Sequence, residues 1–453
     1  MTVRVAWGNS RFMIPRSLFP EIAPHFRKMG RLSQRADDRA RRSVAGAWRG
    51  IGGLFRVTVG LVLLGFLENA GYAEDWPRWR GPDLNGISRE TGWKGVWGKD
   101  GPRQLWKASV GIGFSSVTVV DGRLFTMGNE DGTDTVRCLD AETGREVWSH
   151  SYRCELDPVY YEGGPGSTPT VDGDRLYTLS KRGHLFSFQA ADGEILWMQN
   201  LTNTTAATKP RWGFAGSPLV HGDRLILNAG ESGAAVDKLS GQVLWHSATN
   251  AGGYATPVPF TMNGSACAAI FSGKALFGVR LSDGQPLWKQ DWATKWDINA
   301  ADPIVNGNRA FVSTFDRGGA LLEFGPNETR VLWETKQMGN HFNSCVELDG
   351  YFYGIDGNTD QALKEFRCLD AATGEVKWSY KGLGLGSVTA ADGRLIVMSE
   401  RGELLVVEAT PERFRPLSRV QVMGGKCWTV PVLANGRIYC RNATGTLICL
   451  DVR

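Results

Sequence analysis

The sequence predicts an all-β fold, an eight-bladed β-propeller of four-stranded antiparallel blades, with the ring closed by an N-terminal strand. Three observations lead there. A tight turn between two β-prone runs recurs eight times, a second turn in most units is followed by a Trp four residues after its Gly, and the two ends of the chain each hold part of one unit.

The first turn falls at Asp121-Gly122, Asp172-Gly173, His221-Gly222, Asn263-Gly264, Asn306-Gly307, Asp349-Gly350, Asp392-Gly393 and Asn435-Gly436, and its Gly residues are spaced by 51, 49, 42, 43, 43, 43 and 43. Asx-Gly supplies the positive φ that a two-residue hairpin turn requires. Its flanks are strands, as in Val117-Thr118-Val119-Val120 and Arg123-Leu124-Phe125-Thr126. The second signal pairs Gly144 with Trp148, Gly193 with Trp197, Gly241 with Trp245, Gly284 with Trp288 and Gly374 with Trp378; Trp333 follows a degenerate turn at Pro326-Asn327, and the seventh unit has Pro416-Leu417-Ser418 where its Trp is expected. Each unit therefore reads as strand, tight turn, strand, loop, strand, turn, strand. One such sheet leaves a face and an edge uncovered, so copies must stack, and radial stacking gives a propeller. The recurrent Trp suits packing between blades, its indole N–H reaching a neighbouring turn. The chain stops at Cys449-Leu450-Asp451-Val452-Arg453, in register with the third strand of a unit. The strand Leu105-Trp106-Lys107-Ala108-Ser109-Val110, ahead of the first full unit, is the expected missing fourth strand. Trp106, Trp148, Trp197, Trp245, Trp288, Trp333 and Trp378 are thus read as blade-docking residues.

Residues 1–73 read as an export segment rather than part of the ring. They hold 12 Lys/Arg against 4 Asp/Glu, and the apolar run Val57–Leu67, eleven residues, is too short to cross a hydrocarbon core of about 30 Å. A basic flank, a short apolar stretch and small residues at Gly71 and Ala73 fit a secretory signal cleaved near Ala73. A buried helix, or an uncleaved anchor, is the alternative, and Met29 is a second candidate start. No Cys stands near the cleavage position, so no lipid anchor is expected, and membrane association would follow only if the segment stays uncleaved. Residues 74–103 read as an irregular lead-in and 104–453 as the propeller. The expected mature protein is periplasmic or otherwise exported, and monomeric.

Composition narrows the function. The chain has 57 Gly in 453 residues, about 13% against a usual 7%, which the repeated turns account for. Its net charge of +4 is the sum of +8 in residues 1–73 and −4 in the rest, so nucleic acid is not an expected partner. No His-Glu-x-x-His or zinc-spaced Cys/His cluster occurs, and Gly230-Glu231-Ser232-Gly233-Ala234 falls short of a nucleophile elbow. Cys138, Cys368 and Cys449 share one repeat position and read as small buried strand residues.

The Leu-Asp-Ala-x-Thr-Gly-x-x-x-Trp pattern at Leu139–Trp148 and Leu369–Trp378 resembles the pyrroloquinoline quinone (PQQ) repeat with its Trp-docking motif, over roughly residues 104–453. The lead-in Trp76-Pro77-Arg78-Trp79-Arg80-Gly81-Pro82-Asp83-Leu84-Asn85-Gly86 resembles the start of exported bacterial PQQ-like propeller proteins. The resemblance implies an eight-bladed ring and two functions. One is a non-catalytic binding or scaffold role, as in the outer-membrane assembly propeller lipoprotein. The other is a PQQ- and Ca²⁺-dependent alcohol or sugar dehydrogenase. The dehydrogenases' adjacent cysteine pair is missing here, as is Cys-x-x-Cys-His for covalent haem. The connectors are short except for Ser149–Pro165 and Met198–Gly213. The first function is therefore preferred, with an unidentified protein or small molecule as partner; PQQ and Ca²⁺ belong to the second.

Connectors from an outer strand to the next inner strand converge near the axis on one face. Their polar and aromatic residues are the candidate ligand-binding set: Tyr161, Glu162, Arg211, Trp212, Tyr254, Asp297, Asn299, His341, Asn343, Lys426 and Trp428. Glu162, Asp297 and Asn299 offer hard oxygens to a Ca²⁺ ion. Arg211 and Lys426 suit an anionic group, and Trp212 or Trp428 a flat ring.

Overall fold

The computed structural model describes residues 73–453. The basic stretch and the apolar run at 57–67 lie outside the described residues, and with them the export reading. The described chain is built of eight sheets of four antiparallel strands, in sequence order from the axis outward in blades 1 to 7; in blade 7 the short strand Ile87–Ser88 adds to the innermost strand in parallel. Blade 1 comprises Thr118–Val120, Arg123–Glu130, Thr133–Asp140 and Glu146–Arg153. Blades 2 to 7 repeat it, with innermost strands at Thr170–Asp172, Leu219–His221, Val258–Met262, Ile304–Asn306, Val346–Leu348 and Ser387–Ala391. Blade 8 takes Val432–Ala434, Arg437–Arg441 and Thr446–Asp451 from the C-terminal end and its outermost strand, Arg103–Ser109, from the N-terminal side. Trp106 pairs with Cys449 there in the register that Trp148 holds with Cys138. That strand closes the ring and covers the edge that Thr446–Asp451 would otherwise expose.

The inter-strand turns come in two forms. Asp121-Gly122, Asn263-Gly264, Asp349-Gly350, Asp392-Gly393 and Asn435-Gly436 have positive φ at both residues, the type I′ geometry. At Asp172, His221 and Asn306 the residue before Gly is instead the last of its strand, and Gly is the first turn residue. The extra Asp174, Asp223 or Asn308 that follows supplies the second turn position, so these three hairpins are one residue out of step with the other five.

The core lies between blades. Second and third strands are buried almost throughout, and the fourth alternates buried and exposed because its outer face meets water. The repeat Trp residues cross this interface. Trp106, Trp148, Trp197, Trp245 and Trp333 donate their indole N–H to the carbonyls of Ala141, Ala190, Lys238, Leu281 and Ala371 in the following blade, at 2.9–3.2 Å. Their rings lie on Gly144, Gly193, Gly241, Gly284 and Gly374. A methyl group at any of these would come within 2.5–2.7 Å of the indole, so only Gly fits. Trp378 reaches Thr410 O at 2.8 Å. Trp288 differs: its N–H has no partner among the described residues, and its ring stacks on Phe324 at 4.7 Å.

At the seam between blades 8 and 1, fully buried Arg441 donates to Ser115 O, Met127 O, Gly111 O and Thr126 Oγ1. Burial without an acid pulls its pKa down to about 9, so at neutral pH it is a cation solvated by protein oxygens.

Candidate functional site

In antiparallel blades of this order, first-to-second and third-to-fourth turns share one face, and second-to-third loops share the other with the blade-to-blade connectors. The lead-in seals the channel from the tight-turn side. Trp76 exchanges two backbone hydrogen bonds with Val119 of blade 1, Val171 N of blade 2 donates to Pro77 O, and Ile87–Ser88 pairs in parallel with Ala390–Ala391 of blade 7. Glu90 accepts from the backbone N–H groups of Asn435 and Gly436 in the blade 8 turn. With that side plugged, the connector face holds a funnel of about 980 Å³.

Tyr161, Arg211, Trp212, Tyr254, His341, Asn343 and Trp428 line the funnel together. Trp428 sits between Phe114 and Phe342, at ring-centroid distances of 5.4 and 4.5 Å. Trp212 meets Tyr254 edge-on at 6.0 Å. Glu162, Lys426, Asp297 and Asn299 lie outside the lining. Glu162 and Lys426 pair with each other at 2.9 Å, and Lys426 caps the Trp428 ring at 4.3 Å. Fully buried Asn299 gives its amide to Ser272 O, Gly273 O and Trp292 O, while its oxygen accepts from Thr294 Oγ1. These are loop-bracing bonds. The proposed Ca²⁺ donors Glu162, Asp297 and Asn299 therefore do not present a shared set of free oxygens. Among the described residues no three His, Cys, Asp or Glu side chains cluster at metal-binding spacing. The residues present thus do not fit a quinone–Ca²⁺ pair, and no redox step follows from them.

Two groups of lining residues escape a reading confined to the connectors. The first comes from second-to-third-strand loops: Phe315 and Asp316 in blade 5, and Asn358, Thr359, Asp360 and Gln361 in blade 6. Such loops share the connector face by topology alone, which is the signal that would have found them. The second is Asp302 with Trp79. Just ahead of successive inner strands, the backbone N–H of one blade bonds a side-chain oxygen of the next: Ser116 to Thr168, Thr168 to Ser217, Ser217 to Thr256, Thr256 to Asp302 and Asp302 to Ser344, at 2.7–3.0 Å. Four of these acceptors are hydroxyls, and blade 5 puts a carboxylate in their place. The sequence carries it as Asp302-Pro303 where Thr168-Pro169, Ser217-Pro218 and Thr256-Pro257 stand in their own units. The other Asp302 oxygen accepts the Trp79 indole N–H at 2.5 Å, and the buried Arg80 guanidinium lies 4.0 Å away. Burial pushes the Asp302 carboxyl above the usual range, against the pull of Arg80 and Trp79. Trp79 brings the lead-in into the funnel lining.

The wall is aromatic with sparse charge. His341 lies between Phe315 and Phe342, at 4.8 and 4.9 Å, and its Nδ1 has no partner among the described residues. Burial pulls its pKa down to about 4, so the ring is neutral at physiological pH. Arg211 lies over Trp212 and Trp296, at 4.9 and 5.3 Å.

The fold has recognisable relatives. A family model described as outer membrane protein assembly factor BamB matches residues 96–162 and 132–380. The outer membrane protein assembly factor BamB of Moranella endobia is 25% identical over 312 residues, 62% of this chain and 73% of that protein. The Escherichia coli protein of the same name is 23% identical over 374 residues, 76% of this chain and 88% of that one. Among solved structures, BamB from Moraxella catarrhalis superposes with a TM-score of 0.57 at 16% identity, covering 77% of this chain and 99% of that one. Quinohemoprotein alcohol dehydrogenase from Comamonas testosteroni gives 0.61 at 12% identity, over 84% of this chain and 80% of that one. At these identities the structural matches establish a shared ring. The family model spans well over half of the chain, which therefore belongs to the PQQ-like propeller family represented by the outer membrane assembly factor BamB.

Proposed function

We propose that this chain is an exported, non-catalytic binding or scaffold propeller whose connector-face funnel receives its ligand or partner. One observation supports the reading above the rest: the channel is plugged from one side by the lead-in and opens on the other as an aromatic-walled funnel of about 980 Å³. An apolar concave site with a few convergent polar groups is the ordinary form of a binding site. Membership of a family whose named representatives are outer membrane assembly factors agrees with it. That kinship also favours an exported location and a protein partner.

Several polar groups at or beside the funnel hold structure rather than being poised for proton transfer. Glu162 pairs with Lys426, Asp302 holds Trp79, and neutral His341 sits between two phenylalanines. The test is reconstitution of the full chain with PQQ and Ca²⁺, followed by calorimetry and dye-linked oxidation of alcohols and sugars. No saturable quinone binding and no turnover are expected. Turnover that disappears in Arg211→Ala would replace this reading with a dehydrogenase.

A further inference from the structure

We infer that the funnel is a saccharide site that stacks the faces of uncharged sugar rings on its aromatic wall; this rests on the binding-propeller reading above. Three observations carry it.

The first is the balance of charge. Arg211, Lys295, Asp316 and Asp360 all line the funnel. Asp302, at the floor, has Arg80 beside it. Asp316 accepts the backbone N–H of Lys295 and Asp360 the Thr359 hydroxyl, so neither carboxylate is free, but both keep their charge beside the two cations. A mouth holding two cations and two carboxylates disfavours a strongly anionic or a strongly cationic ligand, because either would meet like charge. A neutral polyol can use both signs, since each hydroxyl is donor and acceptor at once.

The second is the make-up of the wall. The lining combines aromatic side chains with Asn358, Asp360 and Gln361, side chains suited to hydroxyl groups. A pyranose presents this same combination, an apolar C–H face bordered by a rim of hydroxyls. Each hydroxyl that leaves water needs a partner in the site, or its desolvation counts against binding.

The third is backbone geometry at the mouth. Tyr160 and Trp296 are 87% and 58% exposed, and both have left-handed backbones, with φ of 66° and 69°. Bulky residues rarely adopt that region, and when they do they cluster at ligand-contacting sites. Here the unfavourable backbone holds two large rings out at the entrance, where they bury little of their own surface. Arg211 and Lys295 stack on Trp296, but nothing covers most of the Tyr160 ring, and a stacking partner across the mouth would cover both.

The experiment is calorimetry of the full chain with cellohexaose, chitohexaose and maltohexaose. A galacturonate hexamer and a chitosan hexamer serve as anionic and cationic counterparts. At least one neutral oligosaccharide is expected to bind saturably and to perturb Trp fluorescence, and both charged hexamers to bind more weakly. Trp296→Ala is expected to weaken binding by about tenfold or more, as removal of an aromatic stacking contact does. Trp296→Gly should also lose binding while unfolding at the same or a higher temperature, because Gly accepts the positive φ. A merely structural Trp296 would instead lower the unfolding temperature in both variants. Absence of binding by any neutral hexamer at millimolar concentration, or preference for a charged one, overturns the saccharide assignment. In that case photo-crosslinking from position 160 separates the two readings. A discrete protein adduct that Phe342→Ala abolishes leaves the binding propeller standing without the sugar. No adduct overturns both.

Discussion

His341 shows how one residue's burial becomes a property of the fold. Its ring is enclosed by Phe315 and Phe342, and burial lowers its pKa from 6.5 to about 4 against the opposing pull of Asp360 and Asp316. The unfolded chain therefore takes up a proton near pH 6.5 and the folded chain only near pH 4. The stability associated with the neutral ring is present above pH 6.5 and is lost as pH falls from there to about 4, by up to about 3 kcal/mol. His341→Phe should remove that acid-side slope from a plot of urea-unfolding free energy against pH; an unchanged slope would show that the ring is freely protonated in the folded state. The histidine was legible in the sequence as a connector residue near the axis, and so were the aromatic partners Trp212, Tyr254 and Trp428. What the sequence left illegible was commitment. Glu162 and Lys426 look like two free ligands until folding brings residues 264 positions apart into one ion pair. Asn299 looks like a metal ligand until its amide is seen bracing three carbonyls. Asp302 does not stand out in the sequence because it occupies a hydroxyl position of the repeat.

The Gly-x-x-x-Trp element explains both of its own exceptions. Each Trp docks on the third-to-fourth-strand turn of the next blade. In blade 7 the next blade is blade 8, whose fourth strand comes from the N-terminal side, so no such turn exists there. Ser418 stands in the Trp position, opposite Val406, and its hydroxyl instead accepts the backbone N–H of Trp97 at 2.8 Å. The missing seventh Trp is thus a consequence of ring closure. Trp288 faces the degenerate turn of blade 5, and its N–H finds no acceptor among the described residues. This makes an internal comparison available. Trp333→Phe loses ring surface and a hydrogen bond to Ala371 O, whereas Trp288→Phe loses ring surface and an unmet donor. The first should cost about 1–2 kcal/mol more than the second in urea unfolding. Equal losses would mean that docking rests on packing alone. The element is legible in its spacing, whereas the offset of three tight turns by one residue is marked only by the extra Asp174, Asp223 and Asn308.

At the scale of the whole ring, the two ends of the chain are mutually dependent. Arg103–Ser109 pairs with Thr446–Asp451, and Trp106 carries the interface onward to Gly144 of blade 1. The same N-terminal segment plugs the channel and sets Trp79 at the funnel floor. Closure was legible because the last unit stops one strand short and a spare strand with a Trp precedes the first. The plug was legible only as a Trp- and Pro-rich stretch, since irregular backbone has no period to read; its course is set by hydrogen bonds to inner strands of blades far apart in sequence. A chain beginning after Ser109 should leave Thr446–Asp451 as an unpaired edge and the Trp106 position empty. Loss of one buried Trp alone is worth about 3–5 kcal/mol. The truncated chain should therefore unfold at clearly lower urea concentration and self-associate through the exposed edge. A peptide spanning residues 74–109, added in trans, should restore the midpoint and reverse the self-association, because it returns the strand, the docking Trp and the plug together. The same peptide carrying Trp106→Ala should restore far less. A truncated chain with an unchanged midpoint would mean that the other blades hold the ring shut without the clasp.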